Sequence, residues 1–236
     1  MKALLFTAVC AAALFLAAEE ITLTQAKKLQ PISQKIPVDA SKDHVFTLET
    51  KGGSGKLHIY FFQFNGDQRR IGAAHVWGNA ASLTELVGPA VRGATEFTVK
   101  DASKWKKPTS GSGTNIVAFD AKADCSDLPN LKIDYYIKSV TKQADGTWKI
   151  EMRTPLRRSH PAGTLVRQHY DGGHLCVTAP LPADKPFSAA IKAAKGLGPC
   201  SGAWRPGVKF VQLYAQPTTD TPVTITAWSV KPVPAE

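Results

Sequence analysis

Nine stretches of this chain either alternate apolar and polar residues with a period of two or are dense in β-branched and aromatic residues, and turn signals break up the sequence between them. The runs are Val45–Thr50, Leu57–Phe64, Thr95–Lys100, Ile116–Phe119, Ile133–Val140, Trp148–Arg153, Thr164–Tyr170, Val208–Ala215 and Val223–Val230. The turn signals are Gly52-Gly53, Asn65-Gly66, Asp145-Gly146, Asp171-Gly172-Gly173, Pro217 and Pro222. A period of two buries one face of a pleated strand and wets the other, and glycine supplies the positive φ that tight hairpins demand. Asp145-Gly146, between Ile133–Val140 and Trp148–Arg153, is the strongest hairpin signal. Short strands at this spacing predict an all-β chain, an antiparallel β-sandwich or barrel. Helical patterning is confined to Asn79 to Val87 and Phe187 to Lys195, each read as one short helix.

The first residues predict export. Lys2, the apolar stretch Ala3 to Leu16 and the small pair Ala17-Ala18 have the layout of a signal peptide, and the acids Glu19 and Glu20 follow at once. The apolar stretch is shorter than the ~20 residues that span a bilayer. The expected organisation is a leader over 1–18, an N-terminal segment over 19–35 and a β-sandwich over 36–236. The mature protein is expected to be secreted or periplasmic, with no membrane span after cleavage.

Export permits a disulfide. The leader takes Cys10 with it, leaving Cys125, Cys176 and Cys200. Three thiols allow at most one internal bridge. Three pairings are open and the sequence does not choose among them; Cys125 and Cys200 lie in loop-like surroundings and Cys176 in an apolar run, which favours Cys125–Cys200. No two cysteines have zinc-finger spacing.

Catalytic motifs are hard to find. Gly111-Ser112-Gly113 is not the Gly-x-Ser-x-Gly nucleophile elbow, and Gly52-Gly53-Ser54-Gly55-Lys56 lacks the spacing and the Ser or Thr of a phosphate loop. Glycoside hydrolysis needs two facing carboxyl groups. Glu49, Glu96 and Glu151 stand singly in their strands and read as solvent-facing partners of Lys and Arg. His160, His169, His174 and Asp171 form the densest set of metal-ligand types, but they fall on a proline turn, a strand and a loop after Gly172-Gly173, so they read as loop-end histidines. The reading is non-catalytic, with no cofactor.

Net charge is +10, from 29 Lys and Arg against 19 Asp and Glu. Such a balance attracts anions. Export makes nucleic acid an unsuitable partner, whereas an anionic polysaccharide or cell-surface glycan fits. The basic residues come in scattered pairs such as Arg69-Arg70 and Lys106-Lys107, the pattern of a solvated surface. Sugar binding needs flat aromatic faces with polar side chains beside them. Trp105, Trp148 and Trp228 sit in or beside strands and read as core. Trp77, in His75-Val76-Trp77-Gly78-Asn79, and Trp204, beside Arg205, are the loop candidates for stacking. Tyr136, Arg167 and His169 are the candidates for polar contacts from a sheet face.

Several segments carry a likeness. Ile36-Pro37-Val38-Asp39 with Val45-Phe46-Thr47-Leu48, Tyr60-Phe61-Phe62-Gln63-Phe64-Asn65-Gly66-Asp67, Phe97 to Trp105, Asn115 to Phe119, Asp145-Gly146-Thr147-Trp148 and Pro161-Ala162-Gly163-Thr164 are among them. Together with Arg205-Pro206-Gly207 and Val223–Val230, they make residues 36 to 231 resemble secreted bacterial carbohydrate-binding-module-like jelly rolls of the galactose-binding type. The likeness implies a jelly-roll sandwich and, as is usual for that fold, a structural calcium ion whose ligands cannot be placed here. The sequence departs from the pattern at His160 and at Leu175-Cys176, where aromatics are expected. No aromatic platform is carried over at those positions. The expected function is non-catalytic binding of a polysaccharide; the alternatives are a structural or protein-interaction domain at the cell surface and a polysaccharide-active enzyme.

Overall fold

The computed structural model describes residues 20–107 and 115–234; the expected leader with Cys10, and the Gly111-Ser112-Gly113 turn, lie outside the described residues. The chain is all-β. Its first strands are β1 (Ile21–Leu23), β2 (Gln30–Pro31), β3 (Ile36–Pro37), β4 (His44–Gly52), β5 (Gly55–Phe64) and β6 (Arg70–Ile71). A middle group follows: β7 (Thr84–Glu85), β8 (Glu96–Val99), β9 (Asn115–Phe119), β10 (Ile133–Tyr135), β11 (Ile137–Lys142), β12 (Trp148–Met152) and β13 (Leu165–Tyr170). The last are β14 (Leu175–Leu181), β15 (Phe187–Ile191), β16 (Phe210–Pro217) and β17 (Val223–Pro232).

The first and last groups interleave. One sheet runs β1-β17-β4-β15 and another β14-β5-β16-β2, with β3 paired to β16 and β6 to β5. Alternate residues of both sheets, among them Phe46, Leu48, Leu57, Ile59, Phe61, Val211, Leu213 and Ile225, close on one apolar core. The middle group forms sheets β10-β9-β13-β7 and β11-β12-β8 around a second core that includes Phe97, Val99, Val117, Phe119, Ile150 and Val166. Every strand ladder is antiparallel. A sandwich built from the two ends of the chain thus encloses, in sequence, a sandwich built from its middle.

The nine sequence runs all coincide with strands, and Asp145-Gly146 closes the β11–β12 hairpin, with Asp145 Oδ1 accepting from Thr147 N at 2.9 Å and Gly146 at φ +88°. The run Ile133–Val140 divides at Tyr136, whose φ of +71° turns the chain from the β9 sheet to the β12 sheet. Neither expected helix forms. In Asn79 to Val87 the Asn79 side chain accepts from Ala81 N and caps a single 3₁₀ turn, Ala80–Ser82. Leu83 is already extended, and Thr84–Glu85 then pairs with β13. Phe187 to Lys195 is good helix-forming sequence, but β4 offers an open edge, and Phe187–Ile191 completes that sheet from Phe187 opposite Leu48 to Ile191 opposite His44. Tertiary pairing overrides local propensity there.

The two sandwiches meet across the β10-β9-β13-β7 sheet. All five residues of β9 are buried. Val117 and Phe119 enter the second core, while Ile116 and Ala118 face Ala74 of the segment that leaves the first sandwich. The contact is close enough to exclude side chains. A Cβ on Gly78 would lie 2.7 Å from the His169 ring, and one on Gly207, whose φ is +76°, would lie 2.5 Å from Pro129 Cδ. Gly207→Ala is therefore expected to lower stability by about 2 kcal/mol or more, since both backbone strain and overlap oppose it. Gly66→Ala, in open space, should stay within about 0.5 kcal/mol. Urea titrations of the two variants check this.

Candidate functional site

The five residues singled out from sequence are not one surface. Trp204 is fully buried in the first core, its Nε1 donating to His44 Nδ1 at 2.9 Å and its ring edge-on to His44 and Phe61. It offers no face to a ligand, which corrects the expectation of an open loop tryptophan. Arg167 and His169 are brought together on one face of β13, but that face is the sealed one against Ala74, so they cannot reach a glycan either. Trp77 is half-buried, edge-on to Tyr170 with centroids 5.7 Å apart and lying over Gly172. Tyr136 is exposed at the sheet corner described above.

Arg167 and His169 belong to a buried polar cluster. Arg167 Nε donates to His169 Nε2 at 3.0 Å, Nη1 to Lys122 O at 3.1 Å, and Nη2 to Asp127 Oδ2 at 2.7 Å. Because His169 Nε2 accepts, its proton sits on Nδ1 and is donated to Ala74 O at 2.8 Å. Burial, with Arg167 beside it, lowers the His169 pKa to about 4. His75, in the same connecting segment, is lowered to about 4 by burial and by Arg205. Burial pushes Asp127 upward, but donors from Asn130, Lys122 and Arg167 hold its carboxyl below the usual range.

The expected Cys125–Cys200 bridge is not formed. Cys125, Cys176 and Cys200 are all free. Cys125 Sγ sits 3.5 Å from Arg167 Nη1 in the buried cluster, while Cys200 packs against the first core. Nor do the histidines converge: His160 is buried and stacked on Phe119 at 3.9 Å, His169 is locked as above, and His174 is exposed beside Phe62. Among the described residues no three His, Cys, Asp or Glu side chains gather to hold a metal ion, so no calcium ligand set can be named.

A different surface has the composition of a binding face. Inward Leu57, Ile59 and Phe61 of β5 leave His58, Tyr60, Phe62 and Phe64 outward, all partly exposed. In β16 inward Val211, Leu213 and Ala215 leave Phe210, Gln212, Tyr214 and Gln216 outward. The register sets Tyr60 opposite Tyr214, Phe62 opposite Gln212 and Phe64 opposite Phe210. Phe62 and Tyr214 lie diagonally, centroids 4.4 Å apart and planes 32° from parallel. Tyr60 Oη donates to Gln216 Oε1 at 3.1 Å and Tyr214 Oη to Gln212 Oε1 at 3.3 Å. The amides are anchored in turn, Gln212 Nε2 to Ser33 O and Gln216 Nε2 to Lys27 O. Arg70 lies over the Phe62 ring at 3.9 Å and Lys35 over Phe64 at 4.0 Å, with the His174 ring 5.2 Å from Phe62. His58 to Phe64 spans about 20 Å of strand. The clue in the sequence is that every outward position from His58 to Phe64 is aromatic, where a half-buried strand normally turns polar residues to water.

In comparison with known proteins, no family model, no curated protein and no solved structure matches this chain.

Two measurements test the buried cluster. Asp127→Ala strands the Arg167 guanidinium, whose side chain is 1% exposed, and should cost about 3–5 kcal/mol in chemical denaturation. Removing the exposed Lys132–Asp120 pair should cost under about 1 kcal/mol. Second, His75 and His169 protonate at about 4 when folded against about 6.5 when unfolded. The unfolded chain therefore binds protons first on acidification. The stability these two residues confer is complete above about pH 6.5 and is lost as the pH falls from there toward about 4. The urea midpoint should decline across that window, and His169→Gln should flatten the decline.

Proposed function

We propose that this protein is an exported, non-catalytic carbohydrate-binding β-sandwich that holds a polysaccharide on the outer face of the β14-β5-β16-β2 sheet. The observation that carries this reading is the row of Tyr60, Phe62, Phe64, Phe210 and Tyr214 interleaved with Gln212 and Gln216 on a pair of long strands. Aromatic faces shed water readily and lie against the C–H faces of pyranose rings, while fixed amides and phenol hydroxyls bond to sugar hydroxyls in known directions. Because the amides are already held by Ser33 and Lys27, little side-chain freedom is lost on binding.

The carboxylates do not favour hydrolysis. Glu151 and Glu96 face each other across β12 and β8, but Lys149 bridges both, and Ser139 and Lys149 hold the Glu151 carboxyl below its usual range. A glycosidase acid needs the opposite shift. The likeness of residues 36 to 231 to carbohydrate-binding-module-like jelly rolls points to the same class of function, and the signal-like leader to an extracytoplasmic setting.

Affinity electrophoresis through gels containing soluble polysaccharides is the test. Phe62→Ala and Tyr214→Ala should each weaken retention tenfold or more, about 1.4 kcal/mol. Both side chains are partly exposed, so the melting temperature should move little. Passage of the unmodified protein through every gel without retardation would end this reading.

A further inference from the structure

We infer that the polysaccharide held on this face is acidic, and that Arg70 and Lys35 receive its carboxylate or sulfate groups. This rests on the sugar-binding reading above. Both cations stand on the aromatic row itself, over Phe62 and Phe64. Those rings are alternate residues of β5, about 7 Å apart along the strand, so the charges follow the axis a bound chain would take.

Among the described residues Arg70 and Lys35 have no carboxylate within ion-pairing distance, whereas Lys42, Lys51, Lys100, Lys132 and Lys192 each have one. The outward positions of β5, β14 and β16 contain no Asp or Glu. The acid felt nearby is Asp171, in the loop before β14, acting on His174. His174 Nδ1 is 3.4 Å from Arg70 Nη2, and partial desolvation of the ring together with Arg70 pushes its pKa down. The face therefore has unspent positive charge laid over its aromatic row.

The geometry suits anions in two further ways. A cation resting on a ring is restrained by the ring's quadrupole, so less freedom is lost when an anion docks. A guanidinium presents paired N–H groups that match two oxygens of a carboxylate or sulfate, and the neighbouring ammonium adds a point charge.

The test compares retention of the unmodified protein in gels of polygalacturonate, its methyl ester, dextran sulfate and dextran, then repeats it with Arg70→Ala, Lys35→Ala, Tyr214→Ala and Arg92→Ala. Arg92 is an exposed arginine in the other sandwich, so its variant reports bulk charge alone. At least one charged polymer should be retained tenfold more strongly than its neutral counterpart. Arg70→Ala and Lys35→Ala should each weaken that retention about three- to tenfold, with Arg92→Ala neutral. Preference for polygalacturonate assigns carboxylate, and preference for dextran sulfate assigns sulfate. Equal retention of neutral and charged polymers, lost with Tyr214→Ala but not with Arg70→Ala, overturns the acidic inference and leaves sugar binding standing. Retention that Arg70→Ala and Arg92→Ala reduce alike, and that Tyr214→Ala does not touch, overturns both, as does retention of no polymer.

Discussion

The guanidinium of Arg167 has been taken out of water at the seam of two sandwiches, and the surrounding architecture is arranged to satisfy it. It engages Asp127 and Lys122 from one loop, His169 from its own strand, and through His169 the carbonyl of Ala74 in the connecting segment. Apolar contact alone is indifferent to small slides between layers, whereas a buried charge tolerates only the arrangement that completes its donors. The seam is therefore fixed in register as well as in contact. The same demand explains the neutral His169, which must accept from Arg167 on one nitrogen and donate on the other.

Away from that seam, the outer face of the β5 sheet is left uncovered. The β9 sheet is covered on both sides and carries residues such as Ile116, Val117, Ala118 and Phe119 in an unbroken apolar run. The β5 sheet is covered on one side, so β5 from Leu57 onward and β16 alternate buried with partly exposed residues. What is unusual is the identity of the wet half of that alternation: rings and amides, with cations laid over the rings, in place of the scattered Thr, Lys and Glu seen on β4 and β12.

The strands were legible because periodicity is local. Each of the nine runs carries its own pattern, and Asp145-Gly146 carries its own turn. The failures share a cause, which is that the environment of a face depends on what packs there from far away. Alternation put Arg167 and His169 on one side of β13 correctly, yet nothing local says that Ala74 seals that side. Trp204 sits among Gly, Ala and Pro, the company of a loop, but the loop folds inward and His44 takes its N–H. Phe187–Ile191 reads as helix until the free edge of β4 is known. The aromatic face of β5 is written in the sequence as the outward half of the same alternation, His58, Tyr60, Phe62 and Phe64, but its partner row on β16 is set by a pairing across about 150 residues that no local pattern carries.

The nesting of one sandwich within the sequence of the other also bears on how the chain reaches its native state. β5 and β14 are neighbours in space although more than a hundred residues separate them. When the middle strands assemble first, the pairing of Gly78 with His169 and of Tyr170 N with Trp77 O draws their two exits together. The effective loop that the outer strands must then close shrinks from the whole insertion to a few residues at each exit, and the entropy opposing their union shrinks with it. In that order of assembly the inner module acts as a clasp, and the surface carried by the outer one is completed once the clasp has shut.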